Sequence, residues 1–137
     1  MLILVVEDEP LVAFAMEWTL KSAGHQVMGP ADSVDDAIAL CRHSRPDLAL
    51  IDLNLRDGGD GVEVARYLQG RHEIPALFLS AQVAHARANR HLACGLVRKP
   101  YDSALLPQIV EFVSKVARDK WPAAVPHGME IFSTCNG

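Results

Sequence analysis

Long hydrophobic runs are missing from this sequence of 137 residues, and so are the marks of a secreted protein. The longest apolar runs are far short of a membrane span. The chain opens on an apolar run that leads straight into acidic residues, whereas a signal peptide needs a basic segment and a longer apolar core. We therefore expect a cytoplasmic protein with no membrane partner.

Cysteine is scarce. Cys41, Cys94 and Cys135 lie far apart, are odd in number and form no C-x-x-C pair. This spacing argues against a disulfide framework and against a cysteine-ligated zinc site. It favours small buried or incidental thiols in a reducing compartment.

An excess of positive charge is also absent. The chain carries 13 Lys and Arg against 17 Asp and Glu, so its formal net charge is −4. This balance gives no basic surface for nucleic acid. We interpret the one basic stretch, residues 85–91, as a solvated helix face, and its end residues His85 and His91 as surface histidines on different faces.

Short β-rich runs alternate with helical periodicity along most of the chain. The runs lie at residues 2–6, about 25–29, 47–52, 76–80 and 95–98. Strands this short and apolar, separated by helices, predict a parallel five-stranded sheet that is covered on both faces. The predicted fold class is a doubly wound, three-layer α/β sandwich, with ligands at the carboxyl ends of the strands.

Periodicity and capping residues predict five helices. The first helix follows Pro10 and presents one apolar face, made of Leu11, Phe14, Ala15 and Trp18. The second begins after Ser33, and the third begins at Asp60, pairs it with Glu63 and ends at Gly70. The fourth spans about 83–93, and the fifth follows Asp102 with a stripe made of Leu105, Ile109, Phe112, Val113 and Val116. Residues 1–119 are predicted to form one domain, and residues 120–137 an irregular or partly disordered tail that contains Trp121.

Polar residues follow four of the predicted strands. They are Glu7, Asp8 and Glu9 after the first, Asp52 at the end of the third, Ser80 at the end of the fourth and Lys99 after the fifth. In a doubly wound sheet these ends converge on one crevice. Clustered carboxylates repel one another, and a hard divalent cation, Mg²⁺ first, relieves the conflict. A lysine beside them suits a phosphoryl group, and Asp52 is a candidate nucleophile that would form an aspartyl phosphate.

These residues carry a family resemblance. The segments "ILVVEDEP", "LALIDLNL", "ALFLSA" and "VRKPYD" together resemble the receiver domain of bacterial two-component response regulators, over about residues 1–119. The resemblance implies a flavodoxin-like (βα)₅ fold with strand order 2-1-3-4-5. It also implies a receiver of the single-domain type, although a fragment of a longer regulator stays open as an alternative.

The resemblance assigns the acidic residues of the site. Asp52 matches the phosphoacceptor of the family, and Asp8 matches the acid that binds Mg²⁺ directly. Glu7 takes the other acidic position, where the family more often has Asp and binds the metal through water. Asn54 lies where the family uses a backbone carbonyl as a metal ligand.

The resemblance also assigns the switch residues. Ser80 matches the hydroxyl that turns toward the phosphoryl group, Lys99 matches the lysine that pairs with it, and the Lys99–Pro100 bond matches a cis peptide, which X–Pro bonds allow. Two positions depart from the family pattern. Leu96 stands where the family often has an aromatic ring that rotates, and Arg56 stands in a lengthened loop where proline is usual; we interpret Arg56 as a solvated charge.

The implied function is phosphorelay signalling. Asp52 would accept a phosphoryl group from a histidine kinase or a histidine phosphotransfer protein, and an unknown downstream protein would read the helix 4, strand 5 and helix 5 face. Enzymatic turnover is not expected beyond phosphorylation and dephosphorylation of Asp52.

Two alternatives stay open. The first is a receiver-like binding module that works without phosphorylation, which Leu96 and the lengthened loop favour. The second is an aspartyl-nucleophile phosphatase, which Asn54 disfavours because such enzymes use an acid there to act on the leaving group. Asp57 and Asp60 are interpreted as loop and helix-cap residues rather than as rival acceptors.

Overall fold

Strands and helices alternate along the chain as predicted. The computed structural model describes residues 1–55, 58–72, 74–117 and 124–132. The strands in these ranges are β1 (Leu2–Val6), β2 (Gln26–Ala31), β3 (Leu48–Asp52), β4 (Ala76–Ser80), β5 (Gly95–Arg98) and β6 (Met129–Ile131). The helices are α1 (Pro10–Ser22), α2 (Val34–His43), α3 (Gly61–His72), α4 (Val83–Ala88) and α5 (Leu106–Ala117). Arg56, Asp57, Trp121 and Cys135 lie outside the described residues.

One sheet organises the fold. Its strand order is β2-β1-β3-β4-β5-β6, and the first five strands are parallel, which confirms the predicted order 2-1-3-4-5. β6 is antiparallel to β5 and was not predicted. The central strands β3 and β4 are buried along their whole length, as parallel strands covered on both faces should be.

Two hydrophobic clusters cover the two faces of the sheet. One packs Leu4 and Ile51 against α2, α3 and α4, and the other packs Ile3 and Leu50 against α1 and α5. Successive strand residues alternate between these clusters because side chains of a strand point to opposite faces. This confirms the predicted three-layer sandwich.

The buried face of α1 differs from the prediction. Ala13, Met16 and Leu20 face the core, whereas Leu11 is 82%, Phe14 65% and Trp18 67% exposed. The first two turns of this helix are apolar on nearly every side, so periodicity alone could not select the buried face. The result is an exposed apolar stripe, Leu11, Phe14 and Trp18, which we call the α1 stripe.

The other helices follow the prediction with changes at their ends. Ser33 caps α2, and its hydroxyl accepts a hydrogen bond from the Asp36 amide at 3.0 Å. α3 continues past Gly70 to His72, because glycine lowers helix stability without ending a packed helix. The predicted fourth helix is shorter: α4 ends at Ala88, and a single 3₁₀ turn follows at Arg90–Leu92.

The tail is not irregular throughout. Residues 129–131 form β6, so the predicted sheet of five strands has six. Three alternating residues are too few for periodicity to reveal a strand. The strand forms because the edge of β5 offers unpaired backbone groups and Gly95 allows a close approach.

The cysteines also depart from expectation at one position. Cys41 is free and buried, and burial raises the pKa of its thiol. Cys94 is disulfide-bonded, so the expectation of free thiols is wrong there. Spacing along a sequence does not reveal which cysteines a fold brings together. Among the described helices none has the length and apolar character needed to cross a membrane.

Candidate functional site

The carboxyl ends of four parallel strands meet at one edge of the sheet. Glu7 follows β1, Asp52 ends β3, Ser80 ends β4 and Lys99 follows β5. The backbone amide of Lys99 donates to the carbonyl of Ser80 at 3.0 Å, which joins the ends of β4 and β5. The topology therefore brings together residues that are up to 92 positions apart in the chain.

Three carboxylates form the centre of the site. Glu7, Asp8 and Asp52 each offer an oxygen, and these oxygens lie within 4.8 Å of one another. Glu7 is 2% and Asp52 4% exposed, while Asp8 is partly exposed. Buried acids at this spacing repel one another when ionised and need a compensating positive charge.

Lys99 supplies part of that charge. Its Nζ lies 3.0 Å from Oδ2 of Asp52 and 3.8 Å from Oε2 of Glu7. The other oxygen of Asp52, Oδ1, accepts a hydrogen bond from the Asn54 amide at 3.0 Å. Asp52 is therefore held on both oxygens, which fixes its orientation at the end of β3.

Glu7 is the least satisfied of the three acids. Neither of its side-chain oxygens accepts a hydrogen bond within the described part of the chain. Burial, together with the nearby Asp52 carboxylate, raises the pKa of Glu7 to about 8, although the charge of Lys99 opposes the shift. A buried carboxylate without donors is costly unless it is protonated or faces a cation.

This donor set fits a hard divalent cation. All three side chains offer carboxylate oxygens, which Mg²⁺ prefers, and the oxygens of Glu7 have no competing hydrogen bond in the described residues. The predicted further ligand, the backbone carbonyl of Asn54, belongs to the residue whose amide already contacts Asp52. Glu9, also named from the sequence, precedes α1 as its N-cap residue.

Ser80 is the last residue of β4 and begins the connection to α4. Its side chain is buried, and its Oγ accepts a hydrogen bond from the Gln82 amide at 2.8 Å. This contact uses the oxygen as acceptor and leaves the O–H free to be a donor. Leu96 is fully buried in the core cluster that includes α4, so no ring stands at this position to rotate into solvent.

The loop between β3 and α3 is shaped by a glycine. The amide of Gly61 donates to the carbonyl of Leu53 at 3.1 Å. A Cβ at position 61 would overlap the backbone carbonyl oxygen of Asp52 and approach the side chain of Ile51 to 2.7 Å. Gly61 is therefore needed for α3 to begin directly against Asp52.

A side-chain contact between an aspartate and a histidine links the start of α3 to α4. Oδ1 of Asp60 accepts a hydrogen bond from the Val62 amide at 2.9 Å, as a capping residue does, and Oδ2 lies 2.8 Å from Nε2 of His85. The sequence alone indicated only a surface histidine at position 85. No sequence signal could reveal this pair, since 25 residues separate the two side chains.

A cavity of about 550 Å³ adjoins the carboxylates. It lies between the start of α1 and the connection from β5 to α5. Its lining includes Glu7, Glu9 and Lys99 together with apolar side chains, among them Leu11 and Val12. The α1 stripe thus begins at the rim of the candidate site.

Tyr101 is a residue whose place the sequence analysis missed. Its hydroxyl is buried beside the site with no hydrogen-bond partner in the described ranges. Burial, and then the charges of Glu7 and Asp52, raise the pKa of this phenol. The only sequence signal is its place directly after the Lys99–Pro100 bond, which is cis.

Comparison with known proteins places this arrangement in one family. Residues 3–111 match the family model of the response regulator receiver domain. The chain is 32% identical over 110 residues to the phyllosphere-induced regulator PhyR of Methylorubrum extorquens, which covers 79% of this chain and 41% of that protein.

Solved structures give the same result. The response regulator PhyR from Brucella abortus superposes with a TM-score of 0.67 at 31% identity, over 85% of this chain and 51% of that one. The signal receiver domain of a modulated diguanylate cyclase from Desulfovibrio desulfuricans G20 gives a TM-score of 0.76 at 30% identity, over 87% and 97%. The chain thus spans about half or less of the PhyR proteins it matches, and nearly all of the isolated receiver domain.

Proposed function

Because the chain belongs to the response regulator receiver domain family, we propose that it accepts a phosphoryl group on Asp52 and thereby switches its contacts with other proteins. One observation carries the proposal: a buried aspartate, held by Lys99 at 3.0 Å, lies within a cluster of three carboxylates. We further propose that no external substrate is turned over, and that the protein acts in the cytoplasm.

The proposed reaction is a transfer between side chains. An oxygen of Asp52 forms a bond to the phosphorus of a phosphohistidine, the P–N bond breaks, and its electron pair returns to the imidazole of the donor. Lys99 lies 3.0 Å from one oxygen of Asp52 and would neutralise charge on the phosphoryl oxygens. Mg²⁺ held by Glu7, Asp8, Asp52 and the carbonyl of Asn54 would supply further positive charge to the same oxygens.

The proposed switch begins at Ser80. Its O–H can donate to a phosphoryl oxygen, and its Oγ accepts from the Gln82 amide, so movement of the hydroxyl toward the phosphoryl group would draw the start of the β4–α4 loop with it. The Lys99 amide bonds to the Ser80 carbonyl, which couples the same movement to β5. With Leu96 buried in place of an aromatic ring, we propose that the face formed by α4, β5 and α5 changes through this backbone link.

The α1 stripe supports a protein phosphodonor. Leu11 borders the cavity beside the carboxylates, and Phe14 and Trp18 continue the same apolar surface along α1. Exposed apolar patches of this kind mark protein contacts. We propose that a histidine kinase or a histidine phosphotransfer protein packs here while it presents its phosphohistidine to Asp52.

The acceptor is tested by Mg²⁺-dependent labelling with a small phosphodonor such as acetyl phosphate. The wild-type chain should form an acid-stable, base-labile acyl phosphate, and Asp52→Asn should not. Asp60→Asn is the matched control, because Asp60 is an acid of the same loop that caps α3. Equal labelling of Asp52→Asn and wild type would remove Asp52 as the acceptor, and loss of label in Asp60→Asn alone would move the assignment there.

A further inference from the structure

β6 lies outside the residues that match the receiver family, and it closes one edge of the sheet. The match ends at residue 111, and β6 begins at Met129. Backbone bonds join it to β5 at both ends: the Arg98 amide donates to the Gly128 carbonyl at 3.2 Å, and the Phe132 amide donates to the Cys94 carbonyl at 2.7 Å. β6 therefore occupies the β5 edge as an addition to the fold that was matched.

The carboxylate of Glu130, in the middle of β6, accepts hydrogen bonds from two arginines. Oε2 and Oε1 of Glu130 accept from Nε and Nη2 of Arg87 on α4, at 2.9 and 2.6 Å, and Oε1 also accepts from Nη2 of Arg98 at 3.2 Å. Arg87, and then Arg98, hold the pKa of Glu130 at about 2. A two-pronged arginine contact of this kind selects a carboxylate in a fixed orientation.

The residues around Glu130 are apolar. Met129 and Ile131 pack against the core cluster that contains α5, and Phe132 is buried in the cluster that contains α4. The strand thus has an acidic residue between two apolar residues, and it contacts both sides of the face formed by α4, β5 and α5.

Gly95 makes the β5 edge fit a strand. A Cβ at this position would overlap the carbonyl oxygen of Glu130 and approach Cε of Met129 to 3.1 Å. The three atoms nearest to such a Cβ all belong to β6. The absence of a side chain at Gly95 therefore makes room for the docked strand.

We propose that the β5 edge, with Arg87 and Arg98, is a docking site for an extended segment of a partner protein in which an acidic residue lies between apolar residues, and that β6 occupies it until the partner arrives. The mode is strand addition, in which backbone bonds give affinity and side chains give specificity. Because Cys94, directly before β5, is disulfide-bonded, the proposed exchange concerns the protein with this bond reduced. In that state three paired residues and a partly exposed ion-pair cluster hold β6 weakly enough to be exchanged. This goes beyond the proposed function, and strand docking does not depend on phosphoryl transfer.

The test uses a labelled peptide with the sequence of residues 126–132, PHGMEIF, and the full chain under reducing conditions without a phosphodonor. Glu130→Gln weakens the internal strand, so the peptide should bind this variant about ten-fold tighter than wild type in fluorescence anisotropy, as expected for the loss of a charged hydrogen bond. Glu17→Gln is the matched control, because Glu17 also forms an ion pair, with Lys21, but on α1. It should bind the peptide as wild type does.

Two second-site variants locate the peptide. Arg87→Gln and Gly95→Ala, each combined with Glu130→Gln, should lower peptide binding at least about ten-fold, and circular dichroism verifies that both variants stay folded. Hydrogen exchange gives an independent measure: the amides of Phe132 and Arg98 should exchange faster in Glu130→Gln than in wild type.

Three results would overturn the proposal. They are equal peptide affinity for wild type and Glu130→Gln, undiminished binding when Gly95→Ala or Arg87→Gln is added, and a concentration-dependent dimer of Glu130→Gln in sedimentation that excludes the peptide. The last result would make a second copy of this chain the occupant. Because no phosphodonor is present, none of these outcomes can be confused with a failure of Asp52 to accept a phosphoryl group.

Discussion

Replacing Glu7 by glutamine should change how the stability of the protein depends on pH. Glu7 is buried, accepts no hydrogen bond in the described part of the chain, and has its pKa raised from 4.5 to about 8. Glutamine has nearly the same shape and does not titrate. The comparison therefore isolates the cost of ionising this one side chain in the folded protein.

The direction follows from proton counting. Below about pH 4.5 Glu7 is protonated in both the folded and the unfolded chain, and stability does not depend on it. Between 4.5 and about 8 the unfolded chain releases this proton while the folded chain keeps it. The free energy of unfolding must then fall as the pH rises, by at most about 1.4 kcal/mol per pH unit.

Over the whole window the loss is about 5 kcal/mol, a large part of the stability of a small domain. The assay is urea unfolding at about pH 5.5 and pH 7.5 with a chelator present. Between these values the difference in unfolding free energy, Glu7→Gln minus wild type, should grow by about 2 to 3 kcal/mol. Millimolar Mg²⁺ should reduce that difference at the higher pH, since a ligand that binds only the folded state stabilises it.

Parallel pH profiles of the two proteins would refute this reasoning. They would mean that Glu7 is ionised in the folded state at neutral pH without a cation, so that Lys99 alone compensates the cluster. A Mg²⁺ effect of equal size on both proteins would separately contradict the place of Glu7 in the cation site.

Two further predictions concern the neighbourhood of the site. Gly61→Ala should destabilise the fold by about 1–3 kcal/mol in thermal unfolding, because the added methyl overlaps the carbonyl of Asp52. In Gly70→Ala the added methyl meets no atom within 4 Å, so this control should be neutral or stabilising by up to about 1 kcal/mol. Equal effects of the two substitutions would contradict the close approach of α3 to Asp52. Trp18→Ala and Leu11→Ser should change the free energy of unfolding by no more than about 0.5 kcal/mol and leave labelling by acetyl phosphate unchanged. Transfer from a cognate phosphohistidine protein should become at least about ten-fold slower. Equal slowing with both donors would show that the α1 stripe stabilises the site and does not bind the protein donor.

The sequence was sufficient to predict the sheet and the meeting of the four strand ends. Each central strand is a run of apolar residues that stops at a polar one, as at Asp52 and Ser80, and parallel topology then determines which ends are neighbours. The site could be predicted because its residues are tied to strand ends, and strand ends are the feature that short apolar runs indicate best.

Features that depend on a choice between equivalent faces or on distant pairing could not be predicted. α1 carries apolar residues on two sides, and only packing against the sheet and α5 shows that Met16 rather than Trp18 is buried. The contacts His85–Asp60 and Arg87–Glu130 join side chains 25 and 43 residues apart. β6 is too short to produce a periodic pattern, and its formation depends on the edge beside it.

The two outer strands of the sheet bear on the solubility of the protein. β2 forms one edge and contains Pro30, which has no N–H to offer a neighbouring chain. β6 forms the other edge, is three residues long and carries the charge of Glu130. Short, charged or proline-containing edges are how folded proteins avoid strand pairing between molecules.

Release of β6 would remove this protection on one side. The strand then exposed is β5, whose Leu96 and Val97 are buried and apolar, beside a glycine that admits a close neighbour. Such an edge pairs readily with any extended chain, including another copy of itself. A long-lived uncovered state would therefore favour self-association, and a partner that binds at the β5 edge would also prevent it.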